Sequence, residues 1–467
     1  MCYGTKLPTK MVTLLAFSQV GHVSIYGAMF GYLPNLLHEL GQKWTDIGFY
    51  QGVVLALFMV AFCLSSLVTG KIIDRCGSRT LFAICLFLQA STACFIAFTS
   101  SMEWLFISVV LIGLSSASEI VAKVIVYEIS NEVNKAYVYN FAISMPCNVS
   151  LFVGPALGGI LSFPTDQYPD LFPRYWLLTK FPILLPNLIL SFTLLVTSLF
   201  AFIMSRSSDE DSKSLVYQEQ QNSVSCVSQE GSSNEETSND GDISMSKFHR
   251  QRNVIVSTLV MIVYALAVDG FSTLLGVWLQ TPSTLNGMGY SPRESGLLML
   301  ISGMCLLVTD SIIVGKAIDK LGLKRGFMVS FTIFAFLVSI IWTIPKLHNK
   351  TLIFSLVTIT VVLIRTSVSG LKVALFAYMN NLVPNNIRGG VISVRECIKS
   401  LISIAAHPLA GSTFAWSLGN HGLGFPFNYV FTFFLISLTS FVATFSSVLL
   451  DDDASDIDSV SKKEEDM

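Results

Sequence analysis

Two ionisable residues, Glu119 and Lys123, interrupt a long apolar stretch of the chain and are four positions apart. On a helix this spacing places the carboxylate and the ammonium on one face, where they can pair. An ionised side chain at the middle of a bilayer costs roughly 2.5 to 3.5 kcal/mol, so such residues normally face a cavity or a partner. Two interpretations stay open: a pair that only neutralises itself, or a proton-carrying Glu119 whose proton affinity is tuned by Lys123.

A second group of charges lies in apolar stretches of the other half of the chain. Arg365 and Lys372 are seven positions apart, about two helical turns, and so share a helix face. Asp269 and Asp310 are the acids available in neighbouring stretches. The residue types predict either a charge network that joins these cations to the acids or a site for an organic anion. The network is the favoured interpretation.

The first apolar stretch carries four polar or aromatic residues that could line a solute path: His22, Tyr26, Tyr32 and Asn35. A histidine on an apolar helix more often packs in the protein interior than relays protons, so His22 ranks below Glu119 as a proton carrier. Glu128 lies near the predicted end of the stretch that holds Glu119. We interpret Glu128 as a solvated or gating residue.

The chain lacks the motifs of enzymatic and ATP-driven chemistry. Neither H-E-x-x-H nor G-x-S-x-G occurs, and Gly315-Lys316 does not complete a phosphate-binding loop. The net charge of −2 gives no reason to expect a nucleic-acid partner. We therefore expect a protein that is not an enzyme and has no cofactor or metal site. Its expected partners are a small-molecule substrate, protons and the lipid bilayer, and its expected form is a monomer.

Composition and hydropathy place these residues in a polytopic membrane protein. Of 467 residues 52% are hydrophobic and 13% charged, whereas soluble proteins carry about 25% charged residues. The mean hydropathy is +0.62. Apolar stretches of roughly 20 residues, the length that crosses a bilayer, recur along the chain. They predict an all-α protein with twelve transmembrane helices at about 11–37, 47–69, 80–99, 103–130, 138–162, 181–204, 253–280, 292–314, 327–345, 352–382, 394–417 and 426–450.

The predicted spans divide the chain into two six-helix bundles, residues 1–204 and 253–450. The segment 205–252 between them is rich in Ser, Asn, Gln and acidic residues. Because such a composition buries little apolar surface, we predict a disordered cytoplasmic linker there. Residues 451–467 form an acidic tail, predicted to be cytoplasmic as well.

The distribution of basic residues predicts the orientation of the chain. With both termini in the cytosol, the cytoplasmic segments hold 20 of the 29 Lys and Arg residues and the external loops hold six. Basic residues are retained on the cytoplasmic side, so the opposite orientation is rejected. We expect a multi-pass protein of the plasma membrane or of a vacuolar or endosomal membrane.

A charged turn occurs twice in the sequence. GKIIDRCGSR at 70–79 recurs 245 positions later as GKAIDKLGLK at 315–324. Each copy lies between two apolar stretches, which indicates two homologous membrane halves, as in many secondary transporters. The candidate functional residues of the turns are Gly70, Asp74, Arg75, Gly77, Arg79, Gly315, Asp319, Lys320 and Gly322.

Both turns match the signature G-x-x-x-D-R-x-G-x-R/K, and the chain resembles the major facilitator superfamily over nearly its whole length. The resemblance implies two pseudo-symmetric six-helix bundles that alternate access to a solute site. It also implies that the turns act as a conformational latch that stabilises the outward-open state. In that role Asp74 meets the N-terminus of a facing helix, and the basic residues meet neighbouring carboxylates.

The predicted fifth helix carries the motif Gly154-Pro155-Ala-Leu-Gly158-Gly159, which is similar to the G-P-x-x-G-G motif of antiporter branches. Small residues allow close helix packing, and the proline permits a bend. The motif therefore predicts a packing face and a hinge. Pro408-Leu-Ala-Gly411 in the eleventh span resembles a degenerate partner.

Within the superfamily the chain resembles the drug:proton antiporter type 1 group and its zinc-induced-facilitator-like members. Besides the turn and the fifth-helix motif, the resemblance rests on stretches 46–52, 168–172 and 181–186. It implies a secondary active transporter that exports a small organic solute with proton coupling. Relatives usually carry a coupling arginine where this chain has Val109. An uncoupled uniporter and a non-transporting receptor or scaffold of the same fold are the alternatives.

Overall fold

The computed structural model describes residues 9–130, 135–173, 175–223, 252–383, 388–420 and 424–450. The described chain contains twelve long helical segments: α1 Thr9–Glu39, α2 Ile47–Cys76, α3 Ser78–Ala97, α4 Met102–Ile129, α5 Tyr137–Leu161, α6 Leu184–Ser223, α7 Arg252–Gln280, α8 Pro292–Leu321, α9 Leu323–Lys346, α10 Lys350–Asn381, α11 Arg388–Gly419 and α12 Phe431–Ser447.

Ten of the twelve segments are long and apolar enough to cross a bilayer. The other two are α11, which carries Arg395, Lys399 and His407, and α12, an apolar helix of 17 residues. Together they complete the number of spans that the hydropathy pattern indicates. The predicted all-α fold with twelve transmembrane helices is confirmed.

Three segments contain an interruption. The first part of α4 ends at Ser115 and the second begins at Ser118. In α5 a π-helical turn spans Asn140–Ser144, and in α8 another spans Asp310–Val314. π-Turns inside α-helices often mark functional positions, and the second one begins at an acid of the membrane region.

The end of α6 differs from the predicted boundary at residue 204, because the helix continues to Ser223. Residues 205–223 include Glu, Gln, Lys and Leu, which favour helix, and extending an existing helix avoids the cost of nucleation. The first part of the predicted linker is therefore helical. The rest of it, 224–251, lies outside the described residues, as does the predicted tail.

The two halves repeat each other in the position of their helix ends. α2 begins at Ile47 and α8 at Pro292, while α3 begins at Ser78 and α9 at Leu323. The bends before α3 and α9 are made by Gly77 and Gly322, whose φ angles are 78° and 79° and whose ψ angles are 148° and 163°. Side chains rarely tolerate this conformation, which explains the glycine in both copies of the turn.

We call α1–α6 the N-bundle and α7–α12 the C-bundle. Twelve crossings leave residues 9 and 450 on one side of the membrane, here called the terminal side. Accordingly, Lys324 at the start of α9 donates a hydrogen bond to the carbonyl oxygen of Leu450. The opposite side, which carries the α1–α2 and α7–α8 loops, is the far side.

The bundles meet through α2 on α11 and α5 on α8, two pairs that correspond in the repeat. A Cβ atom at Gly48 would lie 2.7 Å from the carbonyl oxygen of Gly411, and one at Gly52 would lie 2.6 Å from that of His407. On the other pair, a Cβ atom at Gly159 would lie 2.9 Å from Cα of Gly296. These glycines lie toward the far-side ends of their helices, so the bundles are in backbone contact there.

Candidate functional site

Glu119 lies between two basic side chains inside the N-bundle. Its Oε1 accepts a hydrogen bond of 2.7 Å from Nζ of Lys123, and its Oε2 is 3.5 Å from Nε2 of His22. The imidazole Nδ1 is 2.6 Å from Nε2 of Gln89, whose Oε1 accepts a bond of 3.1 Å from Oγ of Ser118. We call these five residues of α1, α3 and α4 the Glu119 cluster.

Gln89 determines which nitrogen of His22 faces the carboxylate as a donor. Its amide nitrogen donates toward Nδ1, so a neutral His22 carries its proton on Nε2. Nε2 is the atom nearest Glu119. The cluster therefore offers Glu119 two donors, one from each basic side chain.

The interruption of α4 places Glu119 at the start of a helix. The second part of α4 begins at Ser118, so Glu119 lies in its first turn. The helix dipole favours a carboxylate there. The side chain of Glu119 is 25% exposed and that of Lys123 is 38% exposed, so the pair is not sealed in the bundle core.

The cluster has neighbours on α5, one of which also lies within electrostatic range of a C-bundle lysine. Cys147 of α5 lies within electrostatic range of Glu119 and Lys123 and also of Lys372 on α10. One lysine from each bundle therefore lies near the same thiol. Tyr139 of α5 is also within electrostatic range of Lys123.

The sequence interpretation of His22 captured only part of its environment. The residue is buried, with 6% of its surface exposed, as expected for a packing histidine. It also links Glu119 to Gln89 and so belongs to the same cluster as the favoured proton carrier. This contact was not predictable from the sequence, because α1 and α4 meet only in the folded bundle.

A second polar cluster joins α1, α7 and α11. The hydroxyl of Tyr26 is 3.3 Å from Nε2 of His407, and Nδ1 of His407 is 2.8 Å from Oγ1 of Thr273. Oδ2 of Asp269 accepts a hydrogen bond of 2.5 Å from Oγ of Ser403. We call these five residues the His407 cluster. His407, Ser403 and Thr273 were not singled out from the sequence; a histidine beside Pro408 in an apolar helix was the available signal.

The charges of the C-bundle only partly form the expected network. Asp310 lies near Ser369 and Lys372 of α10. Nη2 of Arg365 instead lies 2.8 Å from the sulfur of Met299. Among the described residues, no carboxylate is within 4.0 Å of the Arg365 guanidinium. Asp269 does not pair with Arg365 in this conformation, because it belongs to the His407 cluster.

The turn at the start of α3 is joined to α4. Oγ of Ser78 donates a hydrogen bond of 2.6 Å to Oε2 of Glu128. A Cβ atom at Gly70 or at Gly315 would meet nothing within 4 Å, so contacts in this conformation do not explain either glycine. The side chain of Asp74 lies outside the described residues. Of the candidate functional residues of the turns, those that are exposed are Gly70, Arg75, Gly77, Gly315, Asp319, Lys320 and Gly322.

The glycine motif of α5 packs on both sides. A Cβ atom at Gly154 would lie 2.7 Å from the carbonyl oxygen of Ser24. One at Gly158 would overlap the carbonyl group of Ala28, also on α1. Gly159 instead faces α8, and Pro155 lies inside the helix. The motif therefore forms a packing face toward one helix of each bundle, while its use as a hinge stays a prediction.

Twelve membrane helices in two related bundles, with ionisable clusters between and within them, define a secondary transporter. The family model described as Major Facilitator Superfamily matches residues 15–407, and the chain belongs to this family. The resemblance inferred from the repeated turns is thereby confirmed, and the protein is a transporter rather than an enzyme.

Three similarities support this assignment. Protein ZINC INDUCED FACILITATOR-LIKE 1 of Arabidopsis thaliana is 26% identical over 426 residues, which cover 88% of this chain and 85% of the relative. Protein ZINC INDUCED FACILITATOR 1 of the same plant is 27% identical over 400 residues, covering 84% and 81%. A bacterial homolog to the human lysosomal transporter Spinster has a TM-score of 0.67 at 13% identity, covering 96% and 98%, and shares the fold.

Proposed function

We propose that the protein is a proton-coupled secondary transporter that moves a small organic solute out of the cytosol by alternating access. Both termini lie in the cytosol in this proposal, and the terminal side is therefore the cytoplasmic side. The membrane is the plasma membrane or that of a vacuole or endosome, and the working form is a monomer. The bundle contacts near the far side support a conformation whose solute path is closed there.

The observation that carries the proposal is the Glu119 cluster. A carboxylate in a membrane-spanning helix is held by Lys123 at 2.7 Å and is still 25% exposed. Protonation of Glu119 removes its charge and releases Lys123 from the ion pair, so the space between the bundles becomes more positive. Two protonation states with different charges bind a charged or polar solute with different affinities, which is what coupling requires.

The turns act as the latch of the cytoplasmic side in the same proposal. Gly70 and Gly315 have free space around them in this conformation. Glycine at such positions allows another helix to approach closely when the terminal side closes. Asp74 and Asp319 then meet helix N-termini, and the basic residues of the turns meet carboxylates.

The experiment uses the full chain in liposomes, after a thermal-shift screen of drugs, organic anions, amines and metal ions at two pH values has identified a solute. Glu119→Gln is expected to abolish uphill transport driven by a proton gradient while downhill exchange persists. Glu103→Gln, on the exposed far-side end of the same helix, is the matched control. Loss of both activities in folded Glu119→Gln would make the residue structural or solute-binding and would contradict its role in coupling.

An uncoupled uniporter is the second candidate. Val109, at the place where the relatives usually carry an arginine, is apolar and 0% exposed in the bundle core. A uniporter predicts that wild-type transport is unchanged by a proton gradient. A receptor or scaffold predicts that a folded protein neither binds nor transports any solute in the screen.

A further inference from the structure

His407 is a titratable residue at the contact between the bundles, and it lies apart from the Glu119 cluster. Its side chain is 1% exposed. One ring nitrogen is 3.3 Å from the hydroxyl of Tyr26 in the N-bundle, and the other is 2.8 Å from the hydroxyl of Thr273 on α7. A single imidazole on α11 therefore connects helices of both bundles.

An acid of the C-bundle lies beside this imidazole. Asp269 is one turn from Thr273 on α7, and it accepts the hydrogen bond from Ser403, one turn from His407 on α11. Asp269 is within electrostatic range of both His407 and Tyr26. The carboxylate and the imidazole are thus held near each other by two facing helices.

The other contacts of His407 among the described residues are with uncharged groups. On α2, Gly52 packs against the backbone carbonyl group of His407. The side chain of Gln51 donates a hydrogen bond of 3.4 Å from Nε2 to the carbonyl oxygen of Thr273. The next charged residue along α11 is Lys399, two turns away, whose Nζ lies 5.8 Å from the ring centre of Phe376. Asp269 is therefore the charged group that acts on His407 most directly.

We propose that Asp269 and His407 form a second proton-binding site, which takes a proton from the far-side solution when the bundles separate there and releases it as they close. This inference rests on the proposed proton coupling and adds a site in the C-bundle to the one at Glu119. Tyr26 makes the site sensitive to conformation, because its hydrogen bond to His407 exists only while α1 and α11 are together.

The hydrogen-bond chemistry of imidazole supports this order of events. Neutral His407 has one donor and one acceptor nitrogen, and both neighbouring hydroxyl groups can act in either role. In the closed contact no water is needed to satisfy the ring. A charged imidazolium in the same dry contact would carry a large desolvation cost. Separation of the bundles removes Tyr26 and admits water, and Asp269 then stabilises the added charge.

The Glu119 cluster differs from the His407 cluster because it does not span the contact between the bundles. All five of its residues belong to the N-bundle, so its internal distances do not depend on contact between the bundles. The His407 cluster spans the contact itself. The pH dependence of far-side opening is therefore a property of His407 and Asp269, whereas Glu119 responds to protons from within one bundle.

The test measures the far-side gap directly, without any solute. Spin labels are attached at Lys43→Cys and Thr284→Cys, exposed positions on the far-side loops of the two bundles, with the native cysteines replaced by serine. Distances are recorded by double electron–electron resonance in nanodiscs of neutral lipid between about pH 5 and pH 8. We expect the far-side gap to widen as the pH falls, with the change complete within about two pH units, as for a histidine.

His407→Gln keeps an amide that can hydrogen-bond but cannot titrate, so its distance distribution is expected not to change with pH. Asp269→Asn, which leaves His407 in place, is expected to move the change to lower pH. Tyr26→Phe is expected to open the far side at every pH while retaining a pH response. These variants provide alternatives if one of them fails to fold.

The matched control is Glu103→Gln, at an exposed acid on the far-side end of α4, which is expected to keep the wild-type pH response of the gap. Glu119→Gln is measured beside it to separate the two proposed proton sites. A wild-type response in both His407→Gln and Asp269→Asn would overturn the inference. A response lost in Glu119→Gln but kept in His407→Gln would also overturn it, while leaving proton coupling at Glu119 intact. If Glu119 instead proves uncoupled in transport and the gap still depends on His407, the proposed function fails and the second site stands.

Discussion

Asn35 and Gln280 are 245 positions apart and share a hydrogen bond of 2.6 Å across the seam between the bundles, in which Nδ2 of Asn35 donates to Oε1 of Gln280. The same interval separates the two charged turns. The two residues therefore hold equivalent places in the two halves. Equivalent residues can touch only near the pseudo-twofold axis that relates the halves, so this pair marks the far-side end of that axis.

Removal of Gln280 is expected to weaken far-side closure. Gln280 also donates a hydrogen bond of 2.9 Å to the carbonyl oxygen of Gly31, and buried groups left without partners destabilise the closed contact. Gln280→Ala should raise the far-side-open fraction in the spin-label measurement. A double-mutant cycle with Asn35→Ala should give a coupling of about 0.5 to 1.5 kcal/mol. Gln42→Ala, in the far-side α1–α2 loop, is the control, and an unchanged open fraction in Gln280→Ala would count against the pair.

A side chain at Gly158 is expected to disturb the packing of α5 on α1. A Cβ atom there would overlap the carbonyl group of Ala28, and overpacked contacts typically cost about 1 to 3 kcal/mol. Gly158→Ala should therefore lower the melting temperature of the purified protein. The control is Gly419→Ala, where a Cβ atom meets nothing within 4 Å. Equal melting temperatures for the two variants would show that α5 can move away from α1 at little cost.

A large side chain at Gly70 is expected to slow the transport cycle without unfolding the protein. The site has free space in this conformation, so Gly70→Leu should change stability by less than about 0.5 kcal/mol. It should still reduce turnover in liposomes, because the side chain obstructs closure of the terminal side. Gly315→Leu tests the repeat-related position in the same way. Normal turnover in both variants would show that the transport cycle does not require another helix to approach Gly70 or Gly315 closely.

Asp74→Asn tests the charge of the latch rather than its shape. We expect slower turnover with solute binding retained, because the amide keeps the volume of the side chain and loses its interaction with a helix N-terminus. Turnover is measured as exchange in liposomes, and binding is measured by thermal shift. Unchanged turnover would leave the turn as a signal for orientation only.

Replacement of Arg395 is expected to stabilise the resting protein. The residue is 4% exposed, and Nη1 donates to the carbonyl oxygen of Met379 at 2.8 Å. Among the described residues, Nε and Nη2 have no hydrogen-bond partner, and a buried charged group without such partners carries a desolvation cost. Arg395→Met should raise the melting temperature and increase the free energy of unfolding by an amount on the order of 1 kcal/mol. A clear fall in the melting temperature would show that the hydrogen bond to Met379, at the end of α10, outweighs the desolvation cost. The control is Arg325→Met on the exposed turn.

The sequence predicted features that are local or repeated. Apolar length located the twelve spans, and the glycine at 77 and at 322 marked bends that the structure shows with the same φ. The partners of charged residues were not predictable in this way. His407 and Tyr26 are 381 positions apart, and their contact follows from how the bundles pack. For Arg365 the residue types left a charge network and an organic-anion site open, and the packing that places it beside the sulfur of Met299 was not predictable from them.

The backbone seam of Gly48, Gly52 and Gly159 has a consequence for how such a protein can change over evolution. Closure at the far side depends on main-chain atoms and on a few small residues. The Glu119 cluster, which borders the proposed solute path, lies within the N-bundle and apart from that contact. Substitutions that alter which solute is bound can therefore accumulate without loosening the seam, and recognition can diversify while the mechanical cycle stays the same.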